Sequence, residues 1–120
     1  MRITFTFLFS LFCLITFADQ NEIVLNNNKQ QHDHLEYFPP ADQPDVYYNN
    51  VAQTIIINGG GAVTYYDVEI APISTFVPVI STQVSGYYDS IDVSSLSATV
   101  YVITICSPTG NEFEGFFEIE

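Results

Sequence analysis

The chain has 120 residues, of which 48% are hydrophobic and only 13% are charged. This composition excludes a disordered protein and leaves room for one domain with a modest core. Fourteen acidic residues are opposed by two basic ones, so we expect no nucleic acid partner and no attraction to anionic lipid surfaces.

Residues 1–18 have the pattern of a removable secretory signal peptide. Arg2 precedes an almost wholly apolar run at 3–17, and the small residues Thr16 and Ala18 occupy the two positions that a signal peptidase reads. The alternative is a membrane anchor, but about 15 apolar residues are fewer than the roughly 20 that span a bilayer. We therefore predict export to the periplasm or beyond, with no stable membrane insertion after cleavage.

Cleavage after the signal would leave Cys106 as the only cysteine, so the mature chain would have no internal disulfide. Because Cys106 lies in a strongly apolar segment with no histidine nearby, we predict a buried, inert thiol. A lipid anchor on Cys13 is disfavoured by the bulky Phe12 before it. Lys29 would then be the one basic residue against fourteen acidic ones, which gives a formal net charge of −13. Because this charge favours solubility, we expect a soluble monomer or weak oligomer.

Residues 19–45 are predicted to form a short N-terminal strand, at 23–25, and a long polar, proline-rich loop. The loop contains His32, His34 and Glu36. On an extended segment these three side chains point to one side and offer two imidazoles and a carboxylate to zinc or a similar ion. The alternative is an ordinary solvated loop.

From residue 46 onward the sequence predicts one strand after another and essentially no helix. The predicted strands lie at 46–48, 53–58, 65–70, 77–85, 89–94, 100–106 and 113–119. In several of them apolar residues alternate with polar ones, which indicates one face in the core and one in water. The segment 46–48 is predicted to be a short edge strand. The continuous apolar run 100–106 is predicted to be a central strand that is buried on both sides.

The segment that begins at Ile91 makes the fold prediction more specific. Ile91 and Val93 are predicted to face inward, Leu96 lies at a bend, and Tyr101 follows five residues later. This pattern looks like the E strand, corner and F strand of an immunoglobulin-like fold, in which a corner tyrosine bonds back to the backbone. Ile103 stands where antibody domains have their second cysteine.

Three further motifs extend this resemblance, namely YYDVEI at 65–70, SxxxxG at 81–86 and GNEFEGFF at 110–117. Together they resemble a family of small secreted immunoglobulin-like proteins of unknown function from gut Bacteroidetes, over about residues 22–119. The expected fold is therefore all-β, an immunoglobulin-like antiparallel β-sandwich of about seven strands, with its core at 46–120. The resemblance implies fold and compartment, and it brings no catalytic residues.

Tyrosines are the most evident candidate binding groups. Neighbouring residues on a strand face opposite ways, so each of the three Tyr-Tyr doublets is expected to leave one ring exposed. We select Tyr47, Tyr65 and Tyr87, whose rings would suit a protein partner or stacked sugars. The alternative is that tyrosine is simply a good strand residue.

We predict a secreted, non-enzymatic interaction or structural module with no cofactor and an unknown protein or glycan partner. One alternative is a glycan-binding module that uses the exposed tyrosines, and another is a metal-binding protein that uses His32 to Glu36. Assembly through a free strand edge is also open. Enzymatic activity is not expected, because carboxylate pairs such as Asp89 and Asp92 lie on wet strand faces, where no apolar pocket raises a pKa.

Overall fold

The computed structural model describes residues 20–27 and 40–120, which form nine β-strands and no helix. The strands are β1 (Gln20–Ile23), β2 (Asn26–Asn27), β3 (Asp45–Asn49), β4 (Thr54–Asn58), β5 (Tyr65–Pro72), β6 (Ile80–Ser85), β7 (Tyr88–Asp92), β8 (Val100–Cys106) and β9 (Glu112–Glu118). The described residues thus contain no helix that could cross a membrane. The predicted signal peptide, residues 1–18, lies outside the described residues.

The strands form two antiparallel sheets, one in the order β1-β3-β4-β7 and the other in the order β2-β9-β8-β5-β6. Strands β3, β4 and β7 take the places of A, B and E in an immunoglobulin-like domain, and β6, β5, β8 and β9 take those of C′, C, F and G. These seven strands confirm the predicted all-β sandwich. Strands β1 and β2 are additions from the N-terminal segment.

The core lies between the two sheets and is filled by alternate residues of each strand. In β5, Tyr66, Val68 and Ile70 are buried while the residues between them face outward, as the alternation predicted. The most completely buried large side chains are Tyr66, Phe113, Ile55, Ile57, Ile70, Ile103, Ile105, Val46, Val68 and Val93. Removing such side chains from water is the main favourable contribution to folding.

The N-terminal segment departs from the single strand predicted at 23–25. It pairs first with β3 through β1 and then crosses to the other sheet, where β2 pairs with β9. Ile23 and Leu25 are buried on either side of the exposed Val24. The crossing passes so close to Gly115 that a Cβ there would lie 2.6 Å from Ile23 Cγ2, so this strand position requires glycine.

Three other strand predictions differ from the structure. The segment 46–48 is not an edge strand, because β1 covers the outer side of β3. The strand predicted at 77–85 begins only at Ile80, since Pro78 has no N–H to donate to a ladder. Strand β8 is central but not fully buried on both sides, because Thr104 and Cys106 are half-buried on its outer face.

The corner between β7 and β8 has the predicted tyrosine geometry. The hydroxyl of Tyr101 donates a hydrogen bond to the carbonyl oxygen of Ser97 at 2.7 Å, and its ring stacks on Phe117 with centroids 5.6 Å apart. Leu96, at the bend, packs against the core. The bond holds the β7–β8 connection against the sandwich, as in other immunoglobulin-like domains.

A buried carboxylate ties the entry to β3 to the turn between β8 and β9. Asp42 accepts hydrogen bonds from Ser107 Oγ at 2.6 Å and from Asn111 Nδ2 at 2.9 Å, and also from the hydroxyl of Thr109. Burial alone raises the pKa of Asp42, but these bonds outweigh it and hold the pKa below its ordinary value. The turn at 107–111 therefore supplies three side-chain hydrogen-bond donors to the carboxylate of Asp42.

We predict that Tyr101→Phe lowers the free energy of unfolding by about 1 to 2 kcal/mol, because the bond to Ser97 is lost. Urea denaturation followed by circular dichroism measures the change. Tyr88→Phe is the matched control, since its ring is 61% exposed, and it should change stability by less than about 0.5 kcal/mol. Equal effects of the two substitutions would contradict the corner assignment.

Asp42→Asn should destabilise the fold at pH 7 by about 2 kcal/mol, because neutral amide oxygens accept these bonds more weakly than a carboxylate. Since the pKa of Asp42 is lowered in the fold, its contribution is fully present above about pH 5 and is lost as the pH falls through the lowered value. The difference in unfolding free energy between wild type and variant should therefore shrink towards pH 2 to 3. The control is Asp45→Asn, an exposed neighbour, and a pH-independent difference for Asp42→Asn would refute the linkage.

Candidate functional site

The three tyrosines selected from the sequence do not share one face of the sandwich. Tyr47 is half-buried on the outer face of the four-stranded sheet, where it pairs with Ile56. Tyr65 is half-buried on the outer face of the other sheet, opposite Ser85. Tyr87 lies in the turn between β6 and β7 and is 68% exposed. They do not form one shared platform, and their use in binding stays a prediction.

Tyr87 has a structural role at the glycine-rich turn that follows β4. Its carbonyl oxygen accepts hydrogen bonds from the N–H groups of Gly59 and Gly60, at 3.0 and 3.2 Å. Its ring covers Gly61 so closely that a Cβ there would lie 2.5 Å from a ring carbon. The neighbouring Gly86 is also required, because a Cβ at that position would lie 1.8 Å from the carbonyl oxygen of Val63.

The predicted metal ligands His32, His34 and Glu36 lie outside the described residues, and the metal site stays a prediction. Within 20–27 and 40–120, no group of three or more His, Cys, Asp or Glu side chains is placed to hold a metal ion. The carboxylates of Asp89 and Asp92 accept hydrogen bonds from the backbone N–H groups of Ser85 and Ser94, at 2.9 Å each. These two acids therefore stabilise turns.

An apolar patch lies on the outer face of the five-stranded sheet and was not anticipated from the sequence. Its members are Ala71, Ile73, Val100, Val102 and Phe116, which the strand register places side by side. Ala71 and Val102 are 6% and 5% exposed although they lie outside the sandwich core, whereas Phe116 is 53% exposed. A contiguous apolar surface bordered by polar residues is typical of a binding site.

The loop between β5 and β6 continues this apolar surface. Phe76, Val77 and Val79 are 66%, 62% and 51% exposed. Phe76 has a φ angle of 56°, a left-handed conformation that is uncommon for a residue with a bulky side chain. Its N–H donates to the carbonyl oxygen of Pro72 at 2.8 Å, which closes the loop. The loop thus exposes an aromatic ring three residues along the chain from Ile73 of the apolar patch.

A block of four carboxylates adjoins the patch on the same sheet face. Asp67 and Glu69 lie on β5, Glu112 and Glu114 lie on β9, and β8 runs between the two pairs. Cys106 lies on β8 between Asp67 and Glu112, at one end of this acidic block. It is half-buried, whereas the sequence predicted full burial. Burial raises the pKa of its thiol, and so do the charges of Glu112, Asp67 and Glu69. The raised pKa disfavours the reactive thiolate, which agrees with the predicted inertness.

The sequence did contain a signal for the patch. In β9 the doublet Phe116-Phe117 interrupts the alternation of acidic and apolar residues, so one of the two rings must face outward. In β8, Val100 and Val102 alternate with the inward-facing residues and so must lie on the outer face. A run that is apolar on both faces predicts burial on both sides, but it equally fits a strand with one exposed apolar face.

No family model matches the chain, and no curated protein matches its sequence. Its fold is similar to the crystal structure of a DUF3244 family protein with an immunoglobulin-like β-sandwich fold from Bacteroides vulgatus. The TM-score is 0.66 at 12% sequence identity, over 84% of this chain and 99% of the solved one. This likeness confirms the predicted fold and agrees with the resemblance to immunoglobulin-like proteins of Bacteroidetes. At such low identity the similarity supports the fold and nothing further.

We predict that Cys106 is alkylated by iodoacetamide at pH 8 much more slowly than the cysteine of glutathione. The double variant Asp67→Asn, Glu69→Gln should react about twofold to fivefold faster, because removal of nearby negative charge lowers the thiol pKa. Glu22→Gln, Asp45→Asn is the matched control on the other sheet, and its rate should equal that of wild type. An equal acceleration in both variants would indicate a general effect of net charge rather than the local field of the acidic block.

Proposed function

We propose that this protein is a secreted, non-enzymatic interaction module that binds a protein partner through the outer face of its five-stranded sheet. The observation that carries the proposal is the apolar patch, together with the exposed loop beside it. Within the described residues this surface combines large hydrophobic side chains that are more than 40% exposed, namely Ile73, Phe76, Val77, Val79 and Phe116. Exposed aliphatic and aromatic side chains in contiguous groups are typical anchors of protein interfaces.

Export and lack of catalysis are parts of the same proposal. The N-terminal sequence pattern supports export, and the acidic composition suits a soluble exported domain. A general acid or base needs a carboxyl group whose pKa is raised towards neutrality. The two described carboxyl groups with a shifted pKa, Asp42 and Asp92, both have it lowered by hydrogen bonds, which supports a non-enzymatic role.

A glycan-binding module is the second candidate. Tyr87 and Tyr88 are 68% and 61% exposed, and tyrosine rings in water are suitable for stacking on sugars. A glycan array separates this candidate from the first, because it predicts signals that disappear in Tyr87→Ala or Tyr88→Ala. Metal binding by His32, His34 and Glu36 remains a third proposal, which titration calorimetry with Zn²⁺ tests directly.

The interface proposal predicts that Ile73→Ser, Phe116→Ser abolishes partner capture. Immobilised mature protein is incubated with envelope and secreted proteins of its source organism, and bound proteins are quantified by mass spectrometry. Loss of two central apolar anchors should reduce enrichment of the true partner by about tenfold or more. Ile73 and Phe116 are 41% and 53% exposed, so the variant should fold with little change in its unfolding midpoint.

Tyr47→Ser, Tyr88→Ser is the control, because it removes two rings from the outer face of the opposite sheet. It should retain the partners that wild type captures. If the patch variant still captures these partners and the control loses them, the proposal is overturned and the interface lies on the outer face of the other sheet. The absence of any enriched protein with wild type would overturn an interaction role as such.

A further inference from the structure

We propose that the partner is a cationic polypeptide segment that binds in an extended conformation along this face, with Lys or Arg over the acidic block and apolar side chains over the patch. This inference rests on the proposed function and adds the chemistry and the order of the groups that the partner presents. It follows from the charge of the domain and from the strand register.

The described residues form an unusually one-sided charge distribution. Residues 20–27 and 40–120 contain eleven Asp and Glu residues and no Lys, Arg or His. Two copies of such a surface repel each other, so a second copy of this chain is disfavoured as the occupant. A partner with positive charge is steered towards the surface and gains complementary contacts at the border of the patch. Charge complementarity therefore selects a cationic occupant.

The strand register places the acidic block and the patch in a fixed order. Along the outer face of β5 the side chains run Asp67, Glu69, Ala71 and Ile73, each two residues apart. The outer face of β9 runs acid, acid, apolar, acid, with Glu112, Glu114, Phe116 and Glu118. Through β8 the first three pair with Asp67, Glu69 and Ala71, whereas Glu118 pairs with Val100, which lies beside Ile73. Both strands thus change from charged to apolar at the same level, and Glu118 borders the far side of the patch.

The spacing of these groups suits an extended chain. Residues two apart on a strand are separated by about 7 Å, and β5 and β9, on either side of β8, lie about 10 Å apart. The four carboxylates therefore outline a rectangle of about 7 by 10 Å. A bound strand also presents one side chain every 7 Å or so on each of its faces. Lys, Lys, apolar, apolar at alternate positions would match the four levels along β5, at the last of which Ile73 and Val100 lie beside Glu118.

The outer face of the other sheet lacks this arrangement and provides the control. Its carboxylates Glu22 and Asp45 lie on different strands, and they flank Tyr47 rather than a second pair of acids. Its remaining outward acid, Asp92 on β7, accepts a hydrogen bond from the N–H of Ser94, as Asp67 of the block does from Gln83 Nε2. Neutralising Glu22 and Asp45 makes the net charge less negative by the same amount as neutralising two acids of the block, without altering the proposed surface.

The test uses the octapeptide Lys-Thr-Lys-Thr-Val-Thr-Phe-Thr as a probe of the mature protein labelled with ¹⁵N, followed by amide chemical shifts. A peptide of the same composition with the order Lys-Thr-Val-Thr-Lys-Thr-Phe-Thr controls for sequence order. We expect the first peptide to shift amides of β5, β8 and β9 and to bind about fivefold or more tighter than the reordered one. Because screened ion pairs contribute, binding should weaken about tenfold between 20 and 300 mM salt.

Variants separate this inference from the proposed function. Glu69→Gln, Glu114→Gln should weaken binding of the first peptide about fivefold to tenfold, and Glu22→Gln, Asp45→Asn less than about twofold. If Ile73→Ser, Phe116→Ser weakens binding and the loss of acids does not, the patch is an interface but its partner is not cationic. If Glu69→Gln, Glu114→Gln weakens binding of the peptide and Ile73→Ser, Phe116→Ser does not, the attraction is an unspecific charge effect. The proposed function then fails as well.

Two further outcomes also decide the matter. Equal affinity for the two peptides would overturn the extended alignment, because composition alone would then account for binding. A concentration-dependent dimer in sedimentation equilibrium, lost in Ile73→Ser, Phe116→Ser, would show that a second copy covers the face and would overturn the cationic occupant.

Discussion

The buried Tyr66 ring connects parts of the sandwich that are distant in sequence, and the one cysteine among residues 20–27 and 40–120, Cys106, is free. It is fully buried in β5, and its hydroxyl donates a hydrogen bond to the carbonyl oxygen of Asp42 at 2.7 Å. A Cβ on Gly59 would lie 2.8 Å from the same hydroxyl, so the turn after β4 closes directly over the ring. The side chain of Asp42 in turn binds the β8–β9 turn. One tyrosine thus joins the entry to β3, both sheets and two turns.

The position of Tyr66 also determines what the opposite face of its sheet displays. Because side chains alternate on a strand, an inward Tyr66 requires Tyr65, Asp67 and Glu69 to face water. The same rule applied from Phe113 places Glu112, Glu114 and Phe116 outward on β9. A slip of one residue in either strand would put carboxylates into the core, which is prohibitively unfavourable. The acidic block and the apolar patch are therefore as firmly specified as the core.

Much of this fold could be predicted from local patterns, and the rest depends on contacts that are distant in sequence. The alternation in β5 and the interval from Leu96 to Tyr101 both depend on nearby residues, and both predictions are confirmed. The network of Asp42 could not be predicted, since Ser107 lies 65 residues away. Likewise, a short apolar run at 23–25 does not specify which sheet it joins, so the crossing of β1 and β2 between sheets was missed.

The apolar patch shows why the candidate site was harder to predict than the core. Hydrophobic residues on both faces of β8 indicate that both faces avoid water, but they do not indicate what covers the outer one. Ala71 and Val102 are 6% and 5% exposed, whereas Phe116 and Ile73 are 53% and 41% exposed. Exposed Phe and Ile at a surface that otherwise carries carboxylates reduce solubility, since no core packing compensates for them. Such an arrangement is expected where another polypeptide covers it. Because the surrounding charges are all negative, a positively charged surface is the one that can approach.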